Sequence, residues 1–129
     1  MALEPEWEAK FEANSFGFRP GRSCHDAIKA IYQNICHKPK WILETDISKC
    51  FDKIAHQALL KKLKTSPSIT RQIRAWLKAG VMDGSNYHKI ASGVPQEGSM
   101  SPLLANVALH GMEQRISKRF HGAKLVGYV

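Results

Sequence analysis

At 129 residues and 43% hydrophobic content, the chain suits one globular domain or a large part of one, and it is too apolar for a disordered tail. Its apolar runs are too short to cross a bilayer, and the acidic first residues lack the basic-then-apolar order of a signal peptide. Nineteen Lys and Arg against eleven Asp and Glu give a net charge of +8, unevenly spread: residues 1–14 balance at −3 and residues 15–129 at +11. A basic body either attracts phosphate backbones or simply solubilises a surface, and charge alone leaves both open. Cys24, Cys36 and Cys50 make an odd, sparse count that fits a reducing, cytoplasmic setting. No repeat or low-complexity tract is visible.

Glu4 to Phe11 reads as a short helix with Trp7 and Phe11 on one face, and Gly17 and Pro20 break the pattern after it. Ser23 and Asp26 are spaced as a capping box. Ala27, Ile28, Ile31 and Ile35 follow at helical spacing, which predicts an amphipathic helix over 23–37 ended by Lys38-Pro39-Lys40. Trp41 to Ile47 reads as a strand, apolar at its start and carrying Asp46 near its end. A helix is expected over 51–64, with Ile54, Leu59, Leu60 and Leu63 inward and Lys61, Lys62 and Lys64 at its basic end. Another should follow Ser68, with Ile69, Ile73, Trp76 and Leu77 on one face and Gly80 closing it.

Asp83-Gly84 marks a hairpin within Val81 to Ser92. Gly93 to Gly98 is a loop, and Ser101-Pro102 starts a long helix whose buried side holds Leu104, Val107, Ala108, Gly111 and Met112. Ala123 to Val129 reads as the start of a strand that leaves an edge uncovered. Asp46 is either a cap for the helix that follows or a ligand for a hard cation, which favours carboxylates on rigid elements. Cys24-His25 and Cys36-His37 are twelve residues apart on one expected helix, roughly 18 Å, and cannot share an ion within one chain.

Three segments occur in order: Phe16-Gly17-Phe18-Arg19-Pro20-Gly21-Arg22-Ser23, Asp46-Ile47-Ser48-Lys49-Cys50-Phe51-Asp52, and Gly93-Val94-Pro95-Gln96-Glu97-Gly98-Ser99-Met100-Ser101-Pro102-Leu103-Leu104-Ala105-Asn106. Together they resemble successive sequence blocks of group II intron reverse transcriptases, and Leu3-Glu4-Pro5 is similar to the segment preceding the first block. The resemblance covers nearly the whole chain. It implies an α+β fold, part of the fingers–palm core of a polymerase with helices packed on a small antiparallel sheet. It also implies that residues 1–129 form a partial domain, without the upstream fingers hairpin and the downstream Tyr-Ala-Asp-Asp strand.

Carried onto matching positions, Asp46 resembles the family's first metal-binding aspartate, for Mg²⁺ in the complete enzyme, with the Ile47 carbonyl as a second ligand. Phe51 matches the aromatic gate beneath the incoming sugar, where a ring would clash with a ribose 2′-OH; the alternative is a core Phe. Gln96 matches the contact to the incoming nucleotide, its amide both donating and accepting; the alternative is a turn residue. Arg19 and Arg22 match positions touching nucleic acid or triphosphate, and either is equally readable as a member of an ion pair.

Glu97 departs from the pattern, since many family members have Gly there. The partners implied are an RNA template, a DNA or RNA primer, deoxynucleotides and intron RNA, with no membrane. The implied function is a fragment of an RNA-directed DNA polymerase, catalytically incomplete alone. A basic RNA-binding or maturase-like module without catalysis, or a decayed remnant, stands beside it.

Overall fold

Backbone placement in this computed structural model covers residues 3–48, 50, 52–79, 81–83, 85–89, 92–94 and 100–127. Among the described residues the chain forms α1 (Glu4–Glu8), α2 (Cys24–Ile35), α3 (His56–Leu63), α4 (Pro67–Lys78), β1 (Val81–Asp83), β2 (Asn86–His88), α5 (Ser101–Leu109) and α6 (Met112–Arg119). No described helix is long and apolar enough to cross a membrane. The chain divides into two compact units, Met1–Asp46 with Leu109–Val129, and Ile47–Ala108.

The first unit is built around α1. Pro5 sits at the helix start and Glu4 and Glu6 occupy the first turn, where a carboxylate meets the positive end of the helix dipole. Trp7 and Phe11 are buried as their spacing predicts, with ring centroids 5.8 Å apart, and His110 meets both edge-on at 5.6 and 6.0 Å. Leu3, Phe16 and Ala27 complete this core. The capping box at α2 forms as expected: Asp26 N–H donates to Ser23 Oγ at 3.4 Å, and Ser23 N–H donates to Asp26 Oδ2 at 2.8 Å. The hydrogen bonds from Ser23 lower the Asp26 pKa. The expected apolar face of α2 is open, however. Ala27 is buried, whereas Ile28, Ile31, Tyr32 and Ile35 are exposed.

A single long helix from Ser101 does not form. Gly111 adopts φ +90°, a left-handed conformation open to glycine, and the chain restarts there as α6. The Glu12 carboxylate receives the Gly111 N–H at 2.6 Å and His110 Nδ1–H at 2.9 Å, so the bend is held from outside the helix. At the C-terminal side, Phe16 N–H donates to Gly127 C=O at 2.8 Å and Gly127 N–H to Asn14 C=O at 2.9 Å, a single parallel bridge where a strand was expected to begin.

In the second unit α3 packs on α4, with Leu59, Leu63, Ile73 and Leu77 buried between and beneath them. The start of α3 lies at His56, later than the expected residue 51, because the Ile54 carbonyl accepts from Gly93 N–H at 2.8 Å instead of from the next helical turn. Lys64 ends α3 in the left-handed region (φ 44°, ψ 45°). Helix α4 begins at Pro67, slightly before the expected start, and Gly80 lies outside the described residues. The hairpin pairs antiparallel, Val81 with His88, Met82 with Tyr87 and Asp83 with Asn86. Lys62 Nζ donates to the Ala108 carbonyl at 2.8 Å, joining α3 to α5.

The expected α+β arrangement of helices on a small antiparallel sheet is corrected by this architecture, which is helical. Residues 41–47 are irregular and exposed, with Trp41, Ile42 and Leu43 all open to solvent. A strand exists only through the neighbour that satisfies its backbone groups, and the described residues offer this segment none. The three-residue strands of the hairpin pair only with each other and provide no layer for helices.

Candidate functional site

The first sequence block is mainly a structural knot. Arg19 is 7% exposed, and its guanidinium faces a ring of acceptors. Nε donates to Glu8 Oε1 at 2.9 Å, and Nη1 donates to the Glu12 and Ser15 carbonyls at 2.9 and 2.7 Å. Nη2 completes an ion pair with Glu8 at 2.8 Å. The planar fork thus meets several acceptors within the fold. Arg22 donates to the Ala13 carbonyl at 2.5 Å and lies 5.2 Å over the Phe16 ring, and it is half-buried. Sequence reasoning missed Glu8 and Glu12 as the partners. The signal was available in the acidity of residues 1–14, directly before a block with two arginines.

Asp46 and Ile47 are both exposed, on the irregular segment. Phe51, Gln96 and Glu97 lie outside the described residues. The second and third blocks meet through their neighbours within the second unit. Gly93 N–H donates to Ile54 C=O at 2.8 Å, His56 Nε2 donates to Gly93 C=O at 2.5 Å, and Ser92 Oγ donates to Asp52 C=O at 3.4 Å. A carbonyl only accepts, so the His56 proton resides on Nε2. Gly93 adopts φ +90°, and Val94 beside it is buried. The third block continues into α5, where Ser101, Leu103, Leu104, Ala105 and Asn106 are all buried. That block is therefore anchored at both of its described ends, before residue 95 and after residue 100.

A Mg²⁺ ion depends on a set of oxygen ligands in near-octahedral array. Among the described residues no three His, Cys, Asp or Glu side chains converge on a point where a metal ion could sit. Asp46 contributes one exposed carboxylate, which is a ligand and not a site. The described residues of this chain do not by themselves fit the ion.

Residues 1–129 match the family described as reverse transcriptase (RNA-dependent DNA polymerase). The chain is 36% identical over 131 residues to Protein YkfC of Escherichia coli (strain K12), covering 96% of this chain and 34% of that protein. It is 43% identical over 118 residues to the group II intron-encoded protein LtrA of Lactococcus lactis subsp. cremoris, covering 88% and 19%. With the 91 kDa protein in cob intron of Schizosaccharomyces pombe it shares 40% identity over 119 residues, covering 90% and 15%. The chain thus spans about a third or less of the length of these curated relatives. The chain belongs to the reverse transcriptase (RNA-dependent DNA polymerase) family.

Proposed function

We propose that this chain is part of an RNA-directed DNA polymerase of the group II intron type, and that its 129 residues do not polymerise by themselves. The observation that carries the reading is the junction of Asp52, Ile54 and His56 with Ser92 and Gly93, which ties the aspartate block to the Gly-Val-Pro-Gln block. In this reading Asp46 is one carboxylate of a larger acidic set, with the Ile47 carbonyl beside it. Phe51 lies beneath the sugar of an incoming deoxynucleotide, and Gln96 contacts that nucleotide. Arg22, half-buried as a residue, is the arginine assigned to a phosphate contact, whereas Arg19 serves by holding the loop. The partners are an RNA template, a primer, deoxynucleotides and intron RNA.

Phosphoryl transfer rests on metal ions and positioning, and one carboxylate supplies too little of either. Primer extension on an RNA template tests both halves of the reading. The isolated chain is expected to yield no product. A chimera in which it replaces the matching segment of LtrA is expected to extend, and Asp46→Asn in that chimera should lower the rate at least about 100-fold, the scale of losing a group that acts in the transition state. Extension by the Asp46→Asn chimera at the parent chimera's rate would defeat the assignment of Asp46. Robust extension by the chain alone would defeat the claim of incompleteness.

A further inference from the structure

Between Lys53 and Met82 the sequence holds seven Lys and Arg and no Asp or Glu. Helices α3 and α4 form a groove of about 700 Å³ within this stretch, lined by Leu60, Lys61 and His56 on one wall and Arg74, Leu77 and Lys78 on the other. Lys61, Arg74 and Lys78 are exposed, and none of the three forms an ion pair with a described residue. Arg74 and Lys78 are one helical turn apart, about 6 Å along the α4 axis. Cations stand on both walls of one groove, and like charges lining one cleft add their potentials.

We infer that the α3–α4 groove is a docking surface for the phosphate backbone of RNA, with Lys61, Arg74 and Lys78 as its contacts. The charge pattern selects a polyanion, because no carboxylate in the stretch offsets the cations. An acidic protein would need apolar anchors, and here Leu77 is buried and Leu60 only half-exposed. The inference uses none of Asp46, Phe51 or Gln96, so it stands or falls separately from the polymerase reading.

The test measures binding of the full chain to a labelled RNA duplex by fluorescence anisotropy across salt concentrations. The variant Lys61→Gln/Arg74→Gln/Lys78→Gln is compared with a charge-matched control, Lys29→Gln/Lys38→Gln/Lys40→Gln, whose sites are exposed in the other unit. Each lost phosphate contact removes roughly 0.7 to 0.9, the range from single strands to a B-form duplex, from the slope of log affinity against log salt. The groove variant should therefore be flatter by about 2 to 3, while the control keeps the wild-type slope. Equal losses in both variants, or none in the groove variant, would overturn the inference.

A second measurement does not depend on the variants folding. On the wild-type chain, the RNA duplex should protect Lys61 and Lys78 from acetylation, read by mass spectrometry, and leave Lys29, Lys38 and Lys40 reactive. Unchanged modification of Lys61 and Lys78 would overturn the surface. Equal protection by polyglutamate would overturn its assignment to nucleic acid.

Discussion

Removing the Glu12 carboxylate should loosen the first unit. Its two oxygens receive the Gly111 N–H at 2.6 Å and His110 Nδ1–H at 2.9 Å, across 99 and 98 residues of sequence. Hydrogen bonds to a charged group contribute about 1.5–3 kcal/mol each, and an abandoned buried donor costs about 1–3 kcal/mol. The Glu12 and His110 side chains are 15% and 22% exposed, so solvent reclaims part of this. Glu12→Ala should therefore cost about 2–4 kcal/mol, and Glu12→Gln, which keeps one acceptor, about 1–2 kcal/mol. Urea unfolding followed by tryptophan fluorescence reads the change, since Trp7 packs against His110 at 5.6 Å.

The pH dependence of the same variants carries a sign. Burial pushes the Glu12 carboxyl up, but its own N–H, the Gly111 N–H and His110 together hold it below its ordinary value of 4.5. A carboxyl with a lowered folded pKa contributes stability above its unfolded pKa and loses it as pH falls through the folded value. The gap between wild type and Glu12→Gln should thus be widest above about pH 5 and close as the pH drops below 4.5. A Glu12→Ala chain within about 0.5 kcal/mol of wild type, the ordinary range for a surface substitution, would refute the bracing of the α5–α6 bend.

Three further outcomes follow from the same geometry. Arg19→Lys should cost about 2–3 kcal/mol in urea unfolding, because a single ammonium cannot serve Glu8, the Glu12 carbonyl and the Ser15 carbonyl together. Leu63→Ala should cost about 2–5 kcal/mol by the same assay, since Leu63 is 1% exposed at the α3–α4 contact. Lys64→Gly should raise the thermal midpoint, relieving about 1 kcal/mol of left-handed backbone at φ 44°, and a fall in that midpoint would contradict the αL assignment.

Local chemistry was legible in the sequence and distant partnership was not. Ser23 and Asp26 announce α2 because the capping box closes within one turn, and Trp7 with Phe11 announces a buried face because helical spacing is local. The bend at Gly111 was hidden, since Leu104 to Met112 keeps helical periodicity through it and the deciding carboxylate belongs to Glu12. The late start of α3 was hidden likewise, because Ile54 C=O bonds to Gly93. The apolar run Trp41-Ile42-Leu43 signals a wish for burial, but burial as a strand depends on a neighbour that no local pattern specifies. At the candidate site the order of the three blocks identified the family. The commitment of Arg19 to Glu8 came only with the fold.

The charge asymmetry seen in the sequence acquires a structural meaning from these contacts. Three of the four acids in residues 1–14 are engaged inside the first unit, Glu6 with Lys10, Glu8 with Arg19, and Glu12 with His110. Their charge is largely neutralised where it stands, and that unit carries ten Lys and Arg against eight Asp and Glu. The unit Ile47–Ala108 carries nine against three, so it holds +6 of the chain's +8. Arg19, one of the two arginines that the motif suggested for nucleic acid, is held by the fold, while three cations outside every motif line an open groove. The family's sequence blocks and the basic groove thus lie on different residues of this chain. The blocks organise loops through hydrogen bonds to backbone, and the acid-free helices α3 and α4 concentrate the positive field on which the proposed phosphate contact rests.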